Sequence, residues 1–247
     1  MYKRQNAVTA KADRAVIKFN HVNFKYPDGE ENILEDIDFE AKPGETIAII
    51  GSTGSGKSTL AKLIPRFFDV TEGSITLDGT DIRDISVETL RSQIGYVPQT
   101  GILFSGDINS NIAYGAPGID EKGIEEAAEI AQATEFINDK PEKYDSPISQ
   151  GGTNVSGGQK QRLSIARAIA RNPKIYIFDD SFSALDFKTD TELRKALKPK
   201  TKDATVFIVA QRVSTILHAD KILVLEDGKL VGKGTHKELV KSCETYM

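Results

Sequence analysis

The sequence predicts an α/β fold: a mixed sheet flanked by helices, an antiparallel β-layer at its N-terminal end, and an α-helical block inserted in the middle. Three observations predict it. Short apolar, β-branched runs alternate with segments of helical spacing on both sides of the middle of the chain. Two strand patterns follow one another before the first fully apolar run. Between residues 101 and 165 helical spacing takes over.

The elements follow in order. Residues Met1 to Arg14 are polar and aperiodic and read as a linker or tail. Val16 to Phe24 alternates as a half-buried strand does, and Tyr26-Pro27-Asp28-Gly29 turns the chain. Tyr26 stands at that strand's end in an exposed turn, where an aromatic ring can stack on a nucleobase. A second strand runs from Ile33 to Glu40. After Lys42-Pro43-Gly44 comes Glu45 to Ile50, a buried strand.

That strand delivers Gly51-Ser52-Thr53-Gly54-Ser55-Gly56-Lys57-Ser58-Thr59, which has the form G-x-x-x-x-G-K-[ST]. Leu60 to Ile64 reads as helix. Strand, glycine loop and helix are the context this phosphate-binding pattern requires. Glycines let backbone N–H groups approach a polyphosphate, and the helix start adds positive potential. In such a P-loop NTPase core Lys57 would reach the β- and γ-phosphates, and the Ser58 hydroxyl would bind Mg²⁺.

A short strand at Gly73 to Gly79, a helix near Val87 to Ser92 and a strand at Ile94 to Val97 come next. The last of these carries Pro98-Gln99 into a loop, where the Gln99 carbonyl oxygen could ligate Mg²⁺ or orient a water. Glu121 to Asn138 reads as helix. In Ser156-Gly157-Gly158-Gln159 the serine is a natural N-cap, and two glycines expose N–H groups at a positive helix end, which suits an anion. Ile175 to Phe178 is a buried strand ending in Asp179-Asp180, a carboxylate position that a P-loop protein needs for Mg²⁺. Thr189 to Leu197 reads as helix, and Thr205 to Val209 as a strand leading to Ala210-Gln211-Arg212. A hairpin turning at Asp227-Gly228 and a helix opened by Thr235 and Glu238 close the chain. The domain reading is residues 1–14 as linker, 15–100 and 166–247 as the core with its β-layer, and 101–165 as the helical subdomain.

Composition narrows the function classes. No apolar run approaches the ~18 residues of a spanning helix. The net charge of −4 gives no support to a nucleic-acid partner. Cys243 is the one cysteine, so no disulfide forms within the chain. His21, His218 and His236 are too scattered for a metal cluster.

With these motifs in hand, the chain resembles the nucleotide-binding domain of an ABC transporter of exporter type over nearly its whole length. Gly51 to Thr59 is similar to Walker A and Ile175 to Asp179 to Walker B. Ser156 to Gln159 resembles the ABC signature, with Val155 where leucine is usual. Gln99 corresponds to the Q-loop, Tyr26 to the adenine-stacking A-loop and Ser183 to Asp186 to the D-loop. Ile102 to Ile108 and Asn111 to Gly115 look like the start of the exporter's helical subdomain. The resemblance implies ATP and Mg²⁺, and a sandwich dimer with a second nucleotide-binding domain. Ser156, Gly157, Gly158 and Gln159 would then serve a nucleotide held by the partner. It also implies transmembrane domains as partners and a place on the cytoplasmic face of the membrane.

Three positions depart from the family pattern. Asp180 stands where the family has a catalytic glutamate, Gln211 where it has the switch histidine, and Gln150 where the X-loop has a glutamate. A misplacement of ~1 Å, about what the missing methylene imposes, can cost on the order of 100-fold in rate. Glutamine hydrogen-bonds a phosphate but carries no charge and shuttles no proton. The pair resembles the degenerate-site subunit of a heterodimeric exporter, which binds ATP and hydrolyses it slowly. A fully active homodimeric domain and a soluble ABC ATPase are the alternatives.

Overall fold

The computed structural model describes residues 13–211 and 215–246. Most of the predicted linker, and Arg212, therefore lie outside the described residues. The two linker residues that are described, Asp13 and Arg14, are fastened: Asp13 O accepts from Lys174 Nζ at 2.7 Å, and Arg14 joins the next two residues on one carboxylate. Arg14 N, Ala15 N and Val16 N donate to the Asp78 carboxylate at 2.9, 3.2 and 2.7 Å.

Strands β1 (Ile17–Phe24) and β2 (Leu34–Ala41) form the predicted antiparallel pair. Then follow β3 (Thr46–Gly51), helix α1 (Lys57–Leu63), β4 (Glu72–Leu77) and β5 (Thr80–Asp81). Next come α2 (Val87–Ser92) and β6 (Ile94–Val97). The inserted block holds β7 (Gly106–Asp107), α3 (Ile108–Ala113), α4 (Glu121–Ile130), α5 (Thr134–Asn138) and β8 (Pro147–Ile148). The chain continues with α6 (Gly157–Ala170), β9 (Ile175–Asp179), α7 (Phe187–Lys200), β10 (Thr205–Val209), β11 (Lys221–Glu226), β12 (Lys229–Gly234) and α8 (His236–Ser242).

Among the described residues ten strands make one sheet in the order β5-β4-β1-β2-β12-β11-β3-β10-β9-β6. The β-layer is thus continuous with the main sheet, joined where β2 meets β12 in parallel at Glu35 and Lys229. β3 sits between β11 and β10, and β11, β3, β10, β9 and β6 all run parallel. Both faces of this part are buried, as parallel sheets require. Along β10, Val206 and Ile208 face the core under the helical block, while Phe207 and Val209 face the core shared with α1 and the β-layer. Along β9, Tyr176 and Phe178 alternate in the same way with Ile175 and Ile177. Burying both sides of these strands fixes their register, and so fixes where their C-terminal ends stop.

The helix read over Glu121 to Asn138 is two helices. Gln132 takes a positive φ of 57°, Ala133 N donates back to Ala128 O at 2.8 Å, and α4 ends there. This is a Schellman-type stop without its usual glycine. α6 runs unbroken across the predicted boundary at 165/166, packing on α3 and α4 and also reaching β6. Among the described residues no helix is long and apolar enough to cross a membrane.

Candidate functional site

The parallel strands end together, and each end carries one of the predicted residues. β3 ends at Gly51, β9 at Asp179, β6 leads to Gln99 and β10 to Gln211. The C-terminal edge of such a sheet is where α/β folds bind ligands.

The glycine loop is built on close approach. A Cβ on Gly51 would lie 2.1 Å from the Leu225 carbonyl oxygen, so only glycine lets β3 leave the sheet here. Gly56 precedes α1 at φ 96°, against the Leu34 side chain. Lys57 Nζ donates to Gly51 O at 2.9 Å and Ser52 O at 2.7 Å, curling over the loop. Burial lowers the Lys57 pKa, and the negative charges of Asp180 and Asp179 oppose that.

Asp179 is 3% exposed. Its Oδ1 accepts from Ser58 Oγ at 2.6 Å and its Oδ2 from Tyr96 Oη at 2.8 Å. Burial first, then the nearby Asp179 charge, pushes the Tyr96 phenol well above its ordinary pKa, so it remains a donor. Asp180 takes a positive φ of 50°, and its N–H donates to Val209 O at 3.1 Å. Its Oδ2 accepts two amides, Gln99 Nε2 at 3.0 Å and Gln211 Nε2 at 2.6 Å. Burial raises the Asp180 pKa against the pull of those two bonds.

A cavity of about 240 Å³ opens over this cluster. Thr53, Gly54, Gly56, Lys57, Ser58 and Thr59 floor it, and Gln99, Asp180 and Gln211 close one side. Ser58 and Asp179, joined oxygen to oxygen, are the hard oxygen donors a Mg²⁺ prefers, and Gln99 lines the cavity beside Ser58. The residues therefore fit that ion. Among the described residues no cluster of histidine, cysteine and carboxylates offers a rival metal site.

One expectation changes in form. Tyr26 is half-buried, not exposed in a turn: its ring meets Phe24 and Phe68 edge to face at 4.9 and 5.1 Å. Its hydroxyl bonds Thr59 Oγ1 at 3.0 Å, which ties it to the cavity floor. Ser156 caps α6 as predicted, and Gln159 reciprocates: Gln159 N donates to Ser156 Oγ, and Ser156 N to Gln159 Oε1. Ser156 to Gln159 line no part of the cavity, so the structure does not bring them to the glycine loop of their own chain. A Cβ on Gly157 would meet nothing within 4 Å, leaving that helix start open. Tyr96 was missed by sequence reasoning. Its signal was a polar-tipped aromatic within an otherwise apolar strand, two residues before the glutamine-bearing turn.

A parallel sheet with a glycine loop at the end of β3, and carboxylates at the end of β9, the next strand but one, defines the P-loop nucleotide-binding class. Residues 34–183 match the family model described as ABC transporter, and the chain belongs to that family. It is 47% identical over 237 residues to "Putative multidrug export ATP-binding/permease protein YgaD" of Bacillus subtilis (strain 168), covering 96% of this chain and 41% of that protein. It is 49% identical over 230 residues to "Uncharacterized ABC transporter ATP-binding protein YfiB" of the same strain, covering 93% and 40%. The fold superposes on "Structure of a bacterial Atm1-family ABC exporter with ATP bound" with a TM-score of 0.95 at 37% identity, over 100% of this chain and 43% of that one. The chain thus spans about two fifths of the length of these relatives.

Proposed function

We propose that this chain is the ATP-binding domain of an ABC exporter whose own site binds Mg·ATP and hydrolyses it slowly. Its signature, Ser156 to Gln159, completes the site of a second nucleotide-binding domain carried by a different chain. The pair drives transmembrane domains from the cytoplasmic face of the membrane. The similarity to proteins named as exporters supports the transport part of this reading. Residues 15–100 and 166–247 act as the core and 101–165 as the helical subdomain.

Within the site, the glycine loop from Gly51 to Gly56 wraps the phosphates with its N–H groups. Lys57 leaves its carbonyl partners to reach the β- and γ-phosphates. Tyr26 flanks the base. Ser58, Asp179 and Gln99 hold the Mg²⁺, which when bound neutralises phosphate charge.

One observation carries the slow hydrolysis. Asp180 stands on the residue after Asp179, where a base must accept a proton from the attacking water. Its Oδ2 already accepts from both Gln99 and Gln211. A carboxylate oxygen with two donors on it is a weaker acceptor for a third. The shorter side chain also holds it farther from the phosphates than a glutamate would reach.

The test is phosphate release by the native chain, by Asp180→Glu and by Asp180→Glu with Gln211→His. The reading predicts slow native turnover that rises by about 10- to 100-fold in the double variant. Brisk native turnover that neither change affects would overturn it.

A further inference from the structure

Asp179 engages both of its oxygens inside the protein. Ser58, on Oδ1, belongs to the proposed site. Tyr96, on Oδ2, lines no part of the cavity and comes from a different strand. β6 pairs with β9 in parallel, with Tyr96 opposite Ile177, and from there its hydroxyl reaches forward to the aspartate. The ring is held from behind. Phe67 meets it edge to face at 5.3 Å, and the Arg91 guanidinium lies 5.1 Å from the Phe67 ring centre. Arg91 is itself anchored on Pro65 O and Arg66 O, at 3.0 and 2.9 Å, in the turn that ends α1.

We propose that Tyr96 is a positioning residue for the Mg²⁺ site: its hydroxyl fixes the plane of the Asp179 carboxylate so that Oδ1 stays turned to Ser58. The inference rests on the nucleotide-site reading given above. A carboxylate turns easily about its last torsion, because that sp³–sp² well is broad. One hydrogen bond to Ser58 leaves the turn open, and a second, on the other oxygen and from a ring packed against Phe67, closes it. Groups that orient a metal ligand contribute to metal binding without touching the ion. The same strand end then reaches the second carboxylate, because Gln99, three residues on, donates to Asp180. β6 therefore addresses both acidic residues at the end of β9, one through a phenol and one through an amide.

The test uses the full 247-residue chain and a fluorescent ATP analogue, with affinity read in EDTA and then in rising Mg²⁺. Tyr96→Phe removes the hydroxyl and keeps the ring. Tyr96→Leu removes the hydroxyl in a smaller side chain, should the first variant fold poorly. The expected result is EDTA affinity within about twofold of native, with the Mg²⁺ concentration giving half the gain raised by about 10-fold in either variant. A well-folded variant whose Mg²⁺ half-point matches native overturns the proposal, and a lower melting temperature without a shifted half-point assigns Tyr96 to packing alone. Native binding that Mg²⁺ does not strengthen overturns the nucleotide-site reading and this inference with it.

Discussion

Asp180 is the residue on which the account turns, and its electrostatics make a prediction independent of turnover. Burial raises its pKa in the folded state above the ordinary carboxylate value. The folded chain then binds that proton more tightly than the unfolded chain does. Its contribution to stability is present at acid pH and is lost as the pH rises through the raised value. Asp180→Asn removes the charge while its carbonyl still accepts an amide. The variant should match native near pH 4 and melt about 2 °C higher near pH 7, as followed by circular dichroism. A melting difference that does not change with pH would show that burial of this charge has no cost. The sequence exposed Asp180 and Gln211 as departures, because both sit at strand ends whose positions the motifs fix. That both glutamines spend their amides on one Asp180 oxygen was not legible, since these contacts span 81 and 31 residues.

Strands were the most legible elements. β9 and β10 are short, apolar and buried on both faces, so composition alone marks them. The stop between α4 and α5 was hidden because Gln132, not glycine, takes the positive φ. Glycines of like appearance also differ in what they do. Gly51 is hemmed in by the Leu225 carbonyl oxygen, whereas Gly157 opens α6 with free space about it. Gly51→Ala should cost more than about 3 kcal/mol and lower soluble yield, because β11 must move away. Gly157→Ala should leave stability unchanged or raise it by up to about 1 kcal/mol, through better helix propensity. Thermal melts of both variants check this contrast, and a strongly destabilised Gly157→Ala would mean that the signature turn is built for folding rather than left open for a partner.

At the scale of the whole molecule, one ten-stranded sheet carries the β-layer, the parallel core and the strand ends that form the site. Two hydrophobic cores, one on each face, hold those ends in place. The helical block reaches the core chiefly through α6, whose capped start, Ser156 to Gln159, lines no part of the cavity over the glycine loop of the same chain. On the proposed reading, in which those residues serve a partner's nucleotide, a site is complete only when two domains meet. The chain is about two fifths of the length of relatives named for export, so the assembled transporter is where the two halves would act together. On the proposed reading this chain's own site, even when two copies of the chain meet, holds its nucleotide. The direct measurement is to load it with Mg·ATP, remove the free nucleotide and follow the bound species by chromatography. The account predicts that ATP persists long after the Asp180→Glu, Gln211→His double variant has converted its nucleotide to ADP. ADP appearing equally fast in both would contradict it.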